Sequence, residues 1–172
     1  ELHEKELVPL AEQANVDFVW VHGASTVLES TLAYSLNSRG VPCLVVEKGV
    51  GMRITRSIGD QMTEGIFNLM KTLGIWQGEV GEIRKPVVSA DPEEVFFLNA
   101  SRSGIFVQEA RHNTYLKKGD SIGKVIDPLE GTVLEDVVSP EDGLLFTIRE
   151  YPVVDEGSLM ARILRTKERQ ED

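Results

Sequence analysis

Residues 1–80 hold only two segments that read as strands, DFVWVH (Asp17–His22) and the apolar run Cys43–Val46 that ends in Glu47. Helical spacing surrounds them. Leu7, Leu10, Ala11 and Ala14 recur on one face of a first helix, predicted over Leu2–Ala14 and ending near Asn15. Leu28, Leu32, Ala33 and Leu36 mark a second helix to about Asn37, opened by Thr26 and Glu29 at capping-box spacing. Ile58, Met62, Ile66, Leu69, Met70 and Leu73 mark a third over Ile54–Leu73, with Gly74 as its stop. The order α-β-α-β-α implies parallel strands joined by helical crossovers. Two parallel strands make a poor sheet, because both outer edges carry unpaired peptide groups. The expectation is that 1–80 is the back end of a larger parallel α/β domain, or that another chain completes its sheet.

The second strand carries the chemistry. In VPCLVVEKGVGMR, Val41–Arg53, a carboxylate stands at the C-terminal end of an apolar run, followed at once by Gly49 and Gly51. Strand ends beside glycine turns are where α/β proteins place reacting groups. Glu47 is therefore a catalytic candidate; the alternative is an edge carboxylate paired with a nearby Lys or Arg. Lys48 should face away from it, since neighbouring strand residues alternate. Arg53 and Arg56 follow the turn and suit an anionic substrate, or equally a pairing with Glu47 or Asp60.

Beyond a polar stretch containing Pro86 and Pro92, the pattern changes to short apolar runs punctuated by Gly, Pro and Asp: EVFFLNA, GIFVQEA, IGKVID, GTVLEDVV, GLLFTIRE and SLMARIL. These predict an all-β sandwich or barrel. The half repeats itself: Leu116, Gly119, Ile122 and Val125 match Val154, Gly157, Met160 and Ile163 at an offset of 38 positions (157 − 119). Two copies, neither with a full core, would pack about a pseudo-twofold axis. The expected organisation is an α/β portion at 1–80, a linker at 81–93 and a β domain at 94–172.

The net charge of −10 argues against nucleic acid and against an anionic membrane surface. No apolar run approaches the ~20 residues of a membrane-spanning helix. The single cysteine, Cys43, rules out an intrachain disulfide and reads as a small buried hydrophobe. No signal peptide is recognised, and the expected location is cytoplasmic. The chain starts at Glu1 without Met, which suggests that an upstream part has been removed.

Other candidates weigh less. His3 and Glu6 form H-x-x-E, a spacing that can bind zinc from one helix face, but they stand alone among Glu1, Glu4 and Lys5. His22 ends the first strand without a second ligand nearby, and His112 sits in a polar loop of the β half. Ser25, Thr26 and Ser30 are ordinary helix-start residues. No nucleophile elbow, phosphate loop or dinucleotide fingerprint is present.

VEKGVGMRITRSIGDQMTEGIFNLMKTLGI, preceded by SRGVP and joined to GIFVQEARHNTYLKKGDSIGKVID and VVSPEDGLLFTIREYPVVDEG, resembles the C-terminal part of the succinylglutamate desuccinylase/aspartoacylase family over nearly the whole chain. The resemblance implies a zinc-carboxypeptidase-like α/β domain followed by a small β domain. It also implies hydrolysis of N-acyl amino acids or related amides and esters, with Glu47 as the catalytic glutamate and Arg53 as a contact for substrate. The family's zinc ligands, an H-x-x-E pair and a later Asp-Leu-His, have no match here, and His3 with Glu6 lies too near Glu47 to be that pair. The implied picture is a fragment that binds no zinc of its own and does not hydrolyse substrate, from a parent that does both. The rival expectations are a biotinyl- or lipoyl-like carrier, disfavoured because DPLEGTVLEDVV lacks a lysine, and a non-catalytic assembly module or homo-oligomer.

Overall fold

Asn15 turns the first corner of the fold. Helix α1 (Glu4–Glu12) ends in a tightened turn, with the Ala14 N–H bonded to the Ala11 carbonyl, and Asn15 then adopts a left-handed φ of 52° while buried. Asn tolerates that conformation better than most residues, which suits it to a helix C-terminus. The computed structural model describes residues 4–21, 29–89 and 92–165. Its internal contacts divide it into Glu1–Pro92 and Glu93–Asp172. The expected starts at Leu2 and Thr26 lie outside the described residues.

After the corner comes β1 (Phe18–Trp20), three residues with Val19 buried between partly exposed neighbours. Its partner is a correction to the expectation. β1 pairs in parallel with β2 (Val87–Ser89), Val19 opposite Val88, and not with the Cys43–Glu47 run. Residues 87–89 fall within the expected linker 81–93; they pair with β1, and internal contacts divide the chain at 92/93. A three-residue strand behind a proline has too little length to show a period, and its pairing is a non-local choice.

Helix α2 (Leu32–Asn37) covers the C-terminal part of the expected second helix. Thr31 is the cap, its Oγ1 accepting from the Tyr34 N–H at 3.3 Å. Helix α3 (Arg56–Thr72) lies close to its expected span. Its one buried residue is Gly65, where an added Cβ would stand 2.1 Å from the Ala14 carbonyl oxygen, so the helix backbone rests directly on the Ala14–Asn15 corner. The apolar stripe expected in the core is partly open: Met62, Ile66 and Leu73 are exposed.

The second unit is two four-stranded sheets whose pairings are all antiparallel. Its strands are β3 (Val95–Asn99), β4 (Gly104–Gln108), β5 (Thr114–Leu116), β6 (Ser121–Ile126), β7 (Val133–Val138), β8 (Gly143–Ile148), β9 (Val153–Val154) and β10 (Leu159–Arg165). The sheet orders are β3-β10-β8-β5 and β7-β6-β4-β9. An offset of 38 positions (133 − 95) carries β3, β4, β5 and β6 onto β7, β8, β9 and β10 to within a residue or two, and exchanges one sheet order for the other. Ile122, Val125, Leu145, Val154, Met160 and Ile163 fill the core between them. Gly119 and Gly157 turn with φ of 91° and 83°, a region that only glycine enters without strain.

Candidate functional site

The segment 41–48 belongs to no helix or sheet among the described residues. Its exposure alternates: Val45 and Glu47 face outward, while Leu44, Val46 and Lys48 are half-buried. That is the two-residue period of a strand, so Lys48 does face away from Glu47. Both ends of the segment are held. At one, the Asn37 side chain makes a two-point bond to Cys43, donating to its carbonyl at 3.0 Å and accepting its N–H at 2.8 Å. At the other, Lys48 Nζ donates to the Asn15 carbonyl at 3.0 Å and lies 3.9 Å from the Asp17 carboxylate, its side chain only 10% exposed.

Lys48 thus enters a polar network beneath the segment. Gln61 Nε2 donates to the Asn15 carbonyl at 2.7 Å, and the Asn15 amide donates to the Gln61 carbonyl and to Glu64 Oε2. Arg84 closes the network, its N–H donating to Asn15 Oδ1 and its guanidinium pairing with Asp17. Burial by itself pushes the Asp17 carboxyl up. Hydrogen bonds from Arg84 and Gln61, with the charges of Arg84 and Lys48, outweigh it and hold the group below its usual range. Burial pushes Lys48 down; the Asp17 charge opposes the shift and Arg84 reinforces it, leaving the ammonium below its usual value.

Glu47 itself is exposed, and among the described residues no hydrogen bond or ion pair engages its carboxylate. The pairing with Lys or Arg considered from sequence is not formed there. Gly49 turns the chain with φ 72°, and Met52, also left-handed at φ 63°, is fully exposed ahead of Arg53. Arg53 is exposed, its N–H donating to the Val50 carbonyl at 3.3 Å.

The remaining candidates do not gather around Glu47. His112 is exposed in the second unit, Glu6 is exposed on α1, and Cys43 is half-buried and free. His3, His22, Ser25 and Thr26 lie outside the described residues. Among the described residues no group of three His, Cys, Asp or Glu side chains could hold a metal ion. Nor, among them, is any helix long and apolar enough to cross a membrane. A shallow groove of about 260 Å³ lies between α3 and residues 76–81, where Phe67 and Trp76 meet edge to face at 4.9 Å; neither Glu47 nor Arg53 lines it. Sequence reasoning missed the anchors Asn15, Asp17 and Arg84. They lie 33, 31 and 36 positions from Lys48 (48 − 15, 48 − 17, 84 − 48), beyond the reach of any local spacing rule.

No family model matches the chain, and no curated protein matches it. Solved structures do. The product-bound ectoine utilization protein EutE (DoeB) from Ruegeria pomeroyi superposes with a TM-score of 0.80 at 15% identity, covering 96% of this chain and 50% of that one. A succinylglutamate desuccinylase from Silicibacter sp. TM1040 gives 0.77 at 18% identity, covering 95% and 50%. A succinylglutamate desuccinylase/aspartoacylase from Rhodobacter sphaeroides gives 0.74 at 17% identity, covering 95% and 50%. The chain spans about half the length of these structures. It shares its fold with one half of the ectoine utilization protein and of proteins described as a succinylglutamate desuccinylase/aspartoacylase and a succinylglutamate desuccinylase.

Proposed function

We propose that this chain is the C-terminal half of a hydrolase that deacylates N-acyl amino acids or related amides and esters, and that Glu47 is its general base. The observation that carries the reading is the state of Glu47: an outward-facing carboxylate on a segment tied down at both ends, with its own charge left unengaged by the described residues. A carboxylate so held can take a proton from an attacking water and return it to the leaving amine. Arg53, a few residues further along the chain, is proposed to contact a carboxylate of the substrate; a guanidinium suits that role because its planar fork matches two oxygens.

The fold neighbours include a desuccinylase/aspartoacylase and a desuccinylase, which supports a hydrolase parent. Zinc belongs to the proposal for the longer enzyme only. The described residues do not offer a donor set that fits it, so its ligands would come from elsewhere. The 172-residue chain alone is accordingly proposed to be inactive. The proposed substrate is a small N-acyl amino acid, without nucleic acid or membrane, and the proposed location is cytoplasmic. A carrier role is not favoured, because the turn between β6 and β7, Asp127-Pro128-Leu129-Glu130-Gly131, displays no lysine.

The test is Glu47→Gln in the longest natural polypeptide that contains this chain, assayed on a panel of N-acyl amino acids alongside metal analysis. Turnover should fall by roughly 100-fold or more, the scale expected for loss of a general base, with metal content unchanged. Undiminished turnover in that variant would remove Glu47 from the reaction.

A further inference from the structure

We propose that the groove between α3 and residues 76–81 binds a compact organic cation, a free quaternary or alkylammonium ion held against Phe67 and Trp76 by the charges of Glu64 and Glu79. Glu47 and Arg53 take no part in it; neither lines the groove.

The aromatic wall is fixed before any ligand arrives. Glu64 and Phe67 stand three positions apart on α3 (67 − 64), so they share one face of the helix. Beyond the helix end, the Trp76 N–H donates to the Met70 carbonyl at 3.1 Å, which folds the chain back toward α3. The indole N–H donates to the Glu79 carbonyl at 3.3 Å. The ring lies so close over Gly78 that an added Cβ would stand 2.5 Å from it, and only glycine leaves that room. Phe67 meets the indole edge to face, with the ring planes 61° apart, so the two rings form two walls of a corner. Each of the two residues keeps 37% of its surface open.

Charge selects the ligand. Glu64 and Glu79 line the groove, and among the described residues no Lys, Arg or His does. The Glu64 carboxyl carbon lies 4.0 Å from where a Cβ of Gly81 would stand, so this acid reaches from the helix to the facing segment. One of its oxygens accepts from the Asn15 amide at 3.2 Å. Among the described residues no hydrogen bond or ion pair engages its other oxygen or the Glu79 carboxylate. The faces of aromatic rings attract positive charge, and the two carboxylates act in the same sense. An anion is repelled by rings and acids alike. A quaternary ammonium matches best, because its charge is spread over methyl groups that pack on the rings and it needs no hydrogen-bond acceptor. The groove's volume of about 260 Å³ is just under the ~300–1,000 Å³ usual for small-molecule pockets, which suits a compact free ion.

The test is saturation-transfer NMR read on the methyl protons of choline, titrated against the 172-residue chain. Neohexyl alcohol, the uncharged carbon isostere of choline, is the control. Choline should give a saturable signal and the alcohol none. Glu79→Gln should weaken choline by roughly 3-fold, the scale of an exposed charge pair, and Trp76→Leu should abolish its signal. Trp76→Phe, which keeps a ring at the same place, should retain most of it and so separates loss of the ring from loss of the fold. Equal signals from choline and the alcohol would reduce the groove to apolar surface and overturn the proposal. Choline binding left unchanged by either Glu79→Gln or Trp76→Leu would place the ion elsewhere on this acidic chain and overturn it too. So would the absence of saturation up to about 50 mM, well above the millimolar range expected of a site for one small ion.

Discussion

Gly65→Ala sets two physical effects of opposite sign against each other. In an exposed helix the change should stabilise by about 1 kcal/mol, because alanine loses less backbone entropy than glycine. Here the new Cβ would lie 2.1 Å from the Ala14 carbonyl oxygen and 2.7 Å from its carbon, whereas ordinary contact begins near 3.4 Å. Both close atoms are backbone, so no side chain can swing aside. Helix α3 would have to withdraw by about 1.3 Å (3.4 − 2.1). Such overpacking costs about 1–3 kcal/mol. Withdrawal also stretches the bonds that join α3 to Asn15, at 2.7 Å from Gln61 Nε2 and 3.1 Å to its carbonyl, each worth about 1 kcal/mol. The net expectation is a loss of about 2 kcal/mol, set by the larger clash term. The assay is urea unfolding followed by tryptophan fluorescence. Both tryptophans, Trp20 and Trp76, belong to the first unit, so the signal reports on that unit. A midpoint equal to or above that of the unaltered chain would refute the close contact between α3 and the Ala14–Asn15 corner, and with it the platform that holds Lys48.

Three further outcomes can be measured, two in the first unit and one in the second. Asp17 has its folded pKa below the unfolded value, so the stability it contributes is present above the ordinary carboxylate range and is lost as pH falls through the lowered value. Urea midpoints of the unaltered chain and Asp17→Asn should therefore differ at pH 7 and converge in acid; a constant difference would dismiss the Arg84–Asp17 pair as its source. Lys48→Met should destabilise the first unit by about 1–3 kcal/mol, since it leaves the Asp17 carboxylate and Asn15 carbonyl short of a donor, and it should speed amide exchange around residue 48 more than in α1; unchanged exchange there would show that the ammonium does not hold the segment. Leu145→Ala, fully buried in the second unit, should cost about 2–5 kcal/mol, read as faster exchange of β8 and β10 amides, and unaltered protection in both strands would contradict its central place in that core.

How much was legible depended on the length of each signal. Helix α3 carries an amphipathic pattern over many turns and was found close to its observed span. The six apolar runs of the β half all became strands, since alternation bounded by Gly, Pro and Asp survives in any context. β5 and β9, three and two residues long, were missed because so short a run has no measurable period. The offset of 38 positions could be read from Gly119 and Gly157, whose turns demand glycine wherever they occur. The outward turn of Glu47 and inward turn of Lys48 were legible too, because strand side chains alternate whether or not a neighbouring strand is present.

Partner choice was not legible. The sequence placed two parallel strands at Asp17–His22 and Cys43–Glu47, and β1 instead pairs with Val87–Ser89, while the more apolar run stands without a ladder among the described residues. Hydrophobicity says that a segment seeks burial; it does not say against what, because a ladder depends on the register of residues far apart in the chain. The same holds for Lys48. Its identity and facing are local facts, but its acceptors on Asn15 and Asp17 exist only once α3 has closed on that corner through Gly65. The chain by itself determined which segments are extended, which are helical and which acid stands at the tip. The tertiary structure alone decided what holds that tip in place, because hydrogen bonds between distant segments are set by packing and leave no period in the sequence.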